Sequence, residues 1–235
     1  MQKIISKSLL FLLPSIIWAN SSSFEKKWTG LYAGGNVGGI FNRAVLNANH
    51  NAFSNWDGTC NQTNHFSSAF IGPQAGILKQ FDSKLVVGIE GDFTYNFSQA
   101  TDATCACDFY PDIYDQFTLS NRNQGSIRGR LGYPIKQNLL PYFTAGGSFA
   151  DMGIAYNNEA HEQYSHHTSQ YGLMIGGGLE YAYSQKLSFR LEYFYNEYAR
   201  VDLGLLNIYD VYDPTGHGSY NLSANNIRAA INYWF

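Results

Sequence analysis

The sequence predicts an all-β chain that folds as an eight-stranded antiparallel transmembrane β-barrel, with short turns at one end and four long loops at the other. The last stretch, 225–235, alternates apolar and polar side chains and ends on Phe235. A strand that meets lipid on one face and closes a barrel needs this pattern. Charged residues make up only 14% of the chain and aromatic residues reach 16%. A soluble protein usually has about a quarter of its residues charged, so the composition also favours a membrane barrel.

Eight segments show the period-two alternation of a strand with one apolar face. Residues 85–97 show it best, because Val87, Ile89 and Phe93 share one face while Glu90 and Asp92 lie on the other. The predicted strands are 28–40, 67–81, 85–97, 117–133, 140–152, 168–183, 187–198 and 225–235.

The connections between these strands alternate strictly between short and long. The predicted turns are 82–84, 134–139 and 184–186, and the predicted loops are 40–66, 98–116, 153–167 and 199–223. In outer-membrane barrels the short turns face the periplasm and the long loops face the exterior. We therefore expect the four loops at the cell surface and both ends of the barrel on the periplasmic side.

Aromatic side chains mark both ends of the predicted apolar faces. Those at the turn ends are Phe81, Tyr133, Tyr181, Tyr183, Tyr233 and Phe235, and those at the loop ends are Tyr95, Phe97, Tyr171, Tyr193 and Tyr195. Such rings sit best at the two membrane interfaces. A soluble barrel would place its polar face outward and its apolar face inward. Here the charges share one face with the glycines, which indicates a polar interior and a lipid-facing exterior.

The first residues have the features of a secretory signal peptide. Lys3 and Lys7 precede an apolar run at 9–18, and Ala19 offers a small residue for cleavage. The run is shorter than the roughly 20 residues of a membrane-spanning helix. We therefore divide the chain into a signal peptide, 1–19, and a barrel domain, 20–235.

Four short motifs carry a family resemblance. They are Trp-Thr-Gly-Leu-Tyr-Ala-Gly-Gly at 28–35, Arg-Gly-Arg-Leu-Gly-Tyr at 128–133, Gly-Gly-Gly-Leu-Glu-Tyr at 176–181 and Asn-Tyr-Trp-Phe at 232–235. With them the chain resembles the small Gram-negative outer-membrane barrels of the opacity-like and outer-membrane immunogenic type. These proteins are similar to the transmembrane domain of outer membrane protein A. The resemblance covers essentially the whole mature chain except the long loops, and it implies a location in the outer membrane.

Five expectations about partners and cofactors follow from this interpretation. We expect contact with outer-membrane lipid and lipopolysaccharide, and recognition by the barrel-assembly machinery through the strand that ends in Phe235. A host or envelope ligand is expected at the loops, whose aromatic residues Phe53, Trp56, Tyr110, Tyr114, Tyr209 and Tyr212 are suited to such contacts. The alternative is that these rings pack the loops against one another. We expect no cofactor and, with a net charge of −3, no nucleic-acid partner.

The predicted inner face collects an equal number of acidic and basic side chains. They are Glu90, Asp92, Glu180 and Glu192 with Arg128, Arg130, Arg190 and Arg228. An eight-stranded barrel is just wide enough for side chains, so these charges are expected to pair in a closed plug. A gated narrow pore or a proton path is the alternative. Counting inward from the turn at 184–186 places Glu180 opposite Arg190, with Arg130 near enough to share the carboxylate.

Three cysteines fall in the predicted loops: Cys60, Cys105 and Cys107. An exported chain favours oxidation, so we predict a disulfide from Cys60 to Cys105 or Cys107. The alternative is a zinc site that adds His65, although the spacing matches no finger pattern. His161, His166 and His167, with Tyr164, would suit haem or a metal, but a solvated loop explains them more simply. We therefore expect no metal.

The functional hypothesis is a non-catalytic barrel with a structural or surface-interaction role carried by its loops. A small-solute, porin-like channel is the alternative. A barrel enzyme that modifies lipid A is a third hypothesis, because His167 and Ser169 share the lipid-facing side. Such chemistry needs a carboxylate to orient the histidine. Glu180 has the opposite parity and lies far along the strand, so we expect no catalytic residues.

Overall fold

Ten β-strands make up most of the described chain. The structure is a computed structural model, and it describes residues 26–52, 56–97, 101–106, 114–157, 163–205 and 217–235. The strands are β1 (Gly30–Ala52), β2 (Trp56–Gln80), β3 (Val86–Asn96), β4 (Thr101–Ala106), β5 (Tyr114–Gly132), β6 (Leu139–Asn157), β7 (Gln163–Ala182), β8 (Leu187–Tyr198), β9 (Val201–Leu205) and β10 (His217–Trp234). Within these ranges no helix is long and apolar enough to cross a membrane.

The strands close into a barrel. Each long strand pairs antiparallel with its neighbour in the order β1, β2, β3, β5, β6, β7, β8 and β10, and β10 pairs back with β1. The two short strands are additions at one end, since β4 pairs only with β5 and β9 only with β10. Closure removes both sheet edges, as a membrane barrel requires. The predicted eight-stranded antiparallel barrel is confirmed.

The main correction to the sequence analysis concerns the segments predicted as loops, much of which is paired β-strand. The β1–β2 ladder runs without interruption from Gly30 and Leu78 to Ala52 and Trp56, so most of residues 40–66 is paired strand. Parts of the other three predicted loops likewise extend β5, β6, β7 and β10 or form β4 and β9. Backbone pairing does not need an apolar face. A hairpin that is polar on both faces therefore lacks the alternation by which strands are recognised. The end of the barrel from which these longer hairpins extend is called the loop end, and the end with the short turns is called the turn end.

The predicted parity of the two barrel faces is confirmed. Ile127 and Leu173, which face outward, are 72% and 75% exposed, whereas Glu90 and Arg228, which face inward, are fully buried. The outward rings predicted at the turn end are all exposed. Those at the loop end are exposed as well, except Tyr195, which is half-buried. An apolar belt between two aromatic girdles therefore surrounds the barrel.

A β-bulge on β5 changes the parity near the loop end. The pairing with β6 passes from Asn121 opposite Met152 to Asn123 opposite Asp151, so Arg122 is the extra residue. By alternation alone, Arg122 would point into the lumen with Gln124. The bulge instead leaves Arg122 exposed and buries Asn121. Only the four predicted arginines therefore enter the charged cluster in the described part of the lumen.

Candidate functional site: the barrel lumen

The lumen is filled in layers along the barrel axis. Aromatic and aliphatic side chains fill the turn end: Trp28, Tyr32, Leu78, Val86, Leu140, Ala182 and Trp234. A charged layer follows, which contains all eight predicted residues. Toward the loop end lie buried amides and a second apolar group: Ile40, Ala44, Phe70, Ala150, Met152, Tyr198, Tyr220, Leu222 and Ala224. The inner face is therefore polar at mid-height and apolar near both ends.

Glu90 is the centre of the charged layer. Its carboxylate forms ion pairs with the guanidinium groups of Arg128 and Arg190, and a longer one of 3.4 Å with Nη1 of Arg130. The hydroxyl of Tyr32 donates a hydrogen bond to the same carboxylate. Three positive groups and a phenol thus surround one fully buried carboxylate.

Glu192 is the second centre. Its Oε2 lies 3.1 Å from Nε of Arg228 and 3.4 Å from Nε of Arg190, and its Oε1 lies 3.4 Å from Nη2 of Arg128. The Tyr142 hydroxyl donates to Oε1 at 2.5 Å. Because Arg128 and Arg190 also contact Glu90, the two carboxylates belong to one network rather than to separate pairs.

The pairing of Glu180 differs in part from the expectation. Its position opposite Arg190 across β7 and β8 is as predicted. The Glu180 carboxylate, however, binds Nη2 of Arg130 at 2.7 Å, while Arg190 makes its ion pairs with Glu90 and Glu192. Arginine is long enough to reach past its cross-strand neighbour to a carboxylate on the other side of a narrow lumen. Asn232 and Ser188 complete the shell of Glu180 by donating at 3.1 and 2.6 Å.

Asp92 joins the network from the loop-end side. Its two oxygens lie 3.0 Å from Nη1 of Arg128 and 3.2 Å from Nη1 of Arg228, and Ser126 donates to it at 2.6 Å. The structure thus brings together all eight residues of the predicted cluster. Each acidic side chain has at least one arginine partner, so the buried layer carries no excess charge among its eight members.

Three inward aromatic residues complete the charged layer, and the sequence analysis did not assign them to it. Tyr32 and Tyr142 donate hydrogen bonds to the two central carboxylates. The guanidinium of Arg130 lies 3.8 Å from the centre of the Tyr142 ring, and that of Arg228 lies 4.5 Å from the centre of the Phe194 ring. Such contacts stabilise desolvated cations. Their inward positions in the strand alternation could have identified these three rings. Aromatic side chains of a membrane barrel are usually expected on the lipid face, however, so the signal was easy to overlook.

One cavity in the described part of the lumen is small. A cavity of about 10 Å³ lies on the loop-end side of the charges, lined by Phe70, Asp92, Gln124, Phe194 and Asn226 among others. A volume near 10–15 Å³ holds about one water molecule.

The turn end is closed by the residues that precede β1. The Trp28 ring packs edge-on against Trp234 at 5.9 Å, and Tyr32 packs against the other side of Trp234 at 4.9 Å. Nζ of Lys26 lies 4.2 Å from the Trp234 ring centre and donates to the carbonyl oxygen of Gln185. Burial lowers the pKa of Lys26 to about 8, although the Glu180 carboxylate opposes this shift. Residues 26–29 therefore cross the turn end and seal it.

The cysteine and histidine predictions fall largely outside the described residues. Cys107 and His161 are not described, and for Cys60, Cys105, His166 and His167 only the backbone positions are. In the strand register Cys60 lies opposite Ala48, and Cys105 lies opposite Asp115. The disulfide and its zinc alternative both stay predictions. Among the loop aromatics, Phe53, Tyr110, Tyr209 and Tyr212 also lie outside the described residues.

The residues of the lipid A hypothesis are on β7, and Ser169 lies on its outer face. Ser169 is exposed there, while Glu180 is buried in the lumen. The register places a carboxylate that the sequence analysis did not consider, Asp151, directly opposite Ser169. In a hydrolase triad the histidine lies between the serine and the carboxylate. His167 lies opposite Gly153, two residues further toward the loop end, so the described positions do not assemble that order.

Comparison with known proteins places this barrel in a family. The model of the outer membrane protein beta-barrel domain matches residues 9–235, so the chain belongs to that family and is an outer-membrane protein. The chain is 27% identical to the 31 kDa outer-membrane immunogenic protein of Brucella melitensis biotype 1, over 88% of this chain and 84% of that one. It is 28% identical to the 25 kDa outer-membrane immunogenic protein of Brucella abortus biovar 1, over 65% and 59% of the two chains.

One solved structure is the outer membrane protein OprG from Pseudomonas aeruginosa. It is 11% identical to this chain, over 90% of this chain and 98% of that one, with a TM-score of 0.46.

Proposed function

We propose that this protein is a non-catalytic outer-membrane barrel with a structural and surface-interaction role, and that its lumen is closed to solutes. The observation that carries the proposal is the lumen itself. Eight buried charges pair across it, and an apolar layer lies on either side of them. A solute channel needs a continuous water-filled path lined by polar groups. The cavity beside the charged layer has room for about one water molecule.

The interaction role is assigned to the hairpins at the loop end. The β1–β2 ladder continues from Phe41 and Ser67 to Ala52 and Trp56. The extension contains 12 residues on each strand, which at about 3.3 Å per residue project roughly 40 Å along the strand beyond the apolar belt. Paired strands hold such a surface in shape, which an irregular loop of equal length would not do. Lipopolysaccharide and a host or envelope ligand are the proposed partners there, and the immunogenic relatives support a surface-exposed position.

Assembly is proposed to use the other end of the chain. Strand β10 closes the barrel against β1, and Phe235, the residue that follows it, is exposed on the lipid side. An exposed aromatic end on the closing strand suits recognition by the barrel-assembly machinery before closure.

Conductance in a planar bilayer tests the closed lumen. The refolded full-length protein is expected to give no steady open-channel current, because ions would have to cross the paired charges and both apolar layers. Electrophoretic mobility of the unheated sample, which reports a folded barrel, verifies that the inserted protein is native. A steady, reproducible conductance from folded protein would overturn the closed-lumen proposal and favour the porin-like channel.

Epitope accessibility on intact cells tests the surface placement of the hairpins. A tag inserted between β1 and β2, at 53–55, is expected to bind antibody on intact cells. The matched tag in the turn at Asp82 and Ser83 is expected to bind only after the outer membrane is permeabilised. Labelling of the turn tag on intact cells would contradict the proposed orientation.

A further inference from the structure

The lysines and arginines of the barrel occupy different places. The described lysines all lie at the turn end: Lys26, Lys27, Lys79, Lys84, Lys136 and Lys186. The described arginines lie in the charged layer of the lumen or toward the loop end: Arg43, Arg122, Arg128, Arg130, Arg190, Arg200 and Arg228.

Five of these lysines form an exposed ring around the turn end, which we call the lysine collar: Lys27, Lys79, Lys84, Lys136 and Lys186. Each of the three short turns contributes one lysine, and Lys27 comes from the segment that seals the barrel. Lys26 is excluded, because its side chain is buried against Trp234. Opposing charge is sparse, since among the described residues of this surface only Asp82 carries an acidic side chain.

The collar lies at the edge of the apolar belt. Nζ of Lys79 is 5.5 Å from the ring centre of Phe81, which is an outward ring of the turn-end girdle. Lys136 follows the exposed residues Tyr133 and Ile135, and Lys186 follows Tyr183, so these ammonium groups also start from the membrane interface. Lysine has a flexible apolar stem, which allows it to rest on the girdle while its charge reaches the headgroups.

We infer that the lysine collar selects anionic phospholipid headgroups in the leaflet that surrounds the turn end. A lysine near an anionic bilayer surface is attracted with a strength that corresponds to about a fivefold concentration change. Because the lysines are distributed around the turn end, they can attract anionic headgroups on every side of the barrel, where the surrounding shell of lipids lies. The inference uses the membrane location of the barrel and holds whether or not the lumen conducts.

Spin-label spectroscopy of lipid association tests the inference. The folded protein is placed in dimyristoylphosphatidylcholine bilayers with either spin-labelled phosphatidylglycerol or spin-labelled phosphatidylcholine as the probe. The motionally restricted fraction is expected to be about two- to fivefold higher for phosphatidylglycerol at low salt. High salt is expected to reduce this preference, because it screens exposed charges. In the variant K79Q/K84Q/K136Q/K186Q the preference is expected to fall to about one.

Two charge-matched variants provide the control. K136Q/K186Q removes two charges from the collar, and R43Q/R122Q removes two exposed charges toward the loop end. The lysine pair is expected to lower the preference for phosphatidylglycerol, and the arginine pair is expected to leave it unchanged. All of these side chains are exposed, so the barrel should fold in each variant. Equal loss in the two variants, or no preference in the parent protein, would overturn the inference.

Discussion

Replacement of Glu90 by alanine is expected to lower the free energy of unfolding by about 3–5 kcal/mol. The fully buried Glu90 carboxylate contacts Arg128, Arg130 and Arg190, and it accepts a hydrogen bond from Tyr32. Its removal leaves three buried guanidinium groups with too little negative charge beside them. Urea titration of the protein refolded in lipid vesicles measures the loss.

Glu197 is the matched control for this prediction. It is a glutamate on a barrel strand, β8, but its side chain is exposed. Replacement of Glu197 by alanine is expected to change the free energy of unfolding by less than about 1 kcal/mol. If the Glu90 and Glu197 variants were equally stable, the charged layer would have to be solvated, and the closed lumen would lose its support.

Replacement of Trp234 by alanine is expected to cost about 3–5 kcal/mol, the usual range for a buried tryptophan. The Trp234 ring is buried between Trp28, Tyr32 and Lys26, and its Nε1 donates to Oγ of Ser188 at 2.9 Å. The variant therefore loses the centre of the turn-end seal. The same urea titration measures the effect.

Trp234→Phe separates the packing of the ring from its hydrogen bond. Phenylalanine keeps an aromatic ring in the seal but cannot donate to Ser188, so it is expected to cost about 1–2 kcal/mol. Tyr133→Ala, which removes an exposed ring of the turn-end girdle, serves as the control for loss of lipid contact. A Trp234→Ala variant no less stable than Tyr133→Ala would show that residues 26–29 do not seal the barrel through this ring.

The extended hairpins show where sequence patterns stop being informative. Within the membrane, lipid outside and charge inside force an alternation that can be read residue by residue. Above the girdle neither face of β1 and β2 is consistently apolar, so residues 40–66 carry no period although 40–52 pair with 56–68. Backbone hydrogen bonds stabilise these strands. Since nearly every residue type can form them, they produce no recognisable pattern in the sequence.

For the charged layer, the sequence predicts which residues belong to it but not which of them form ion pairs. Its members follow from parity, which is why Glu90, Asp92, Glu180 and Glu192 were assigned to the lumen with their four arginines. The ion pairs among these members do not follow from parity, because Glu90 and Arg190 are 100 residues apart and meet only across the closed barrel. The cross-strand register placed Arg190 beside Glu180, yet the long arginine reaches past it to Glu90 and Glu192.

The sequence by itself determined the number of barrel strands, the balance of charge inside, and the face on which the membrane-embedded side chains lie, except at the β5 bulge around Arg122. These properties follow from a period of two and from the chemistry of lipid and water, which act on every residue separately. Only the tertiary structure decided which arginine neutralises which carboxylate, how residues 26–29 seal the turn end, and how the lysine collar closes into a ring. Each of these depends on distances across the barrel, and those distances are set by the stagger and closure of the strands.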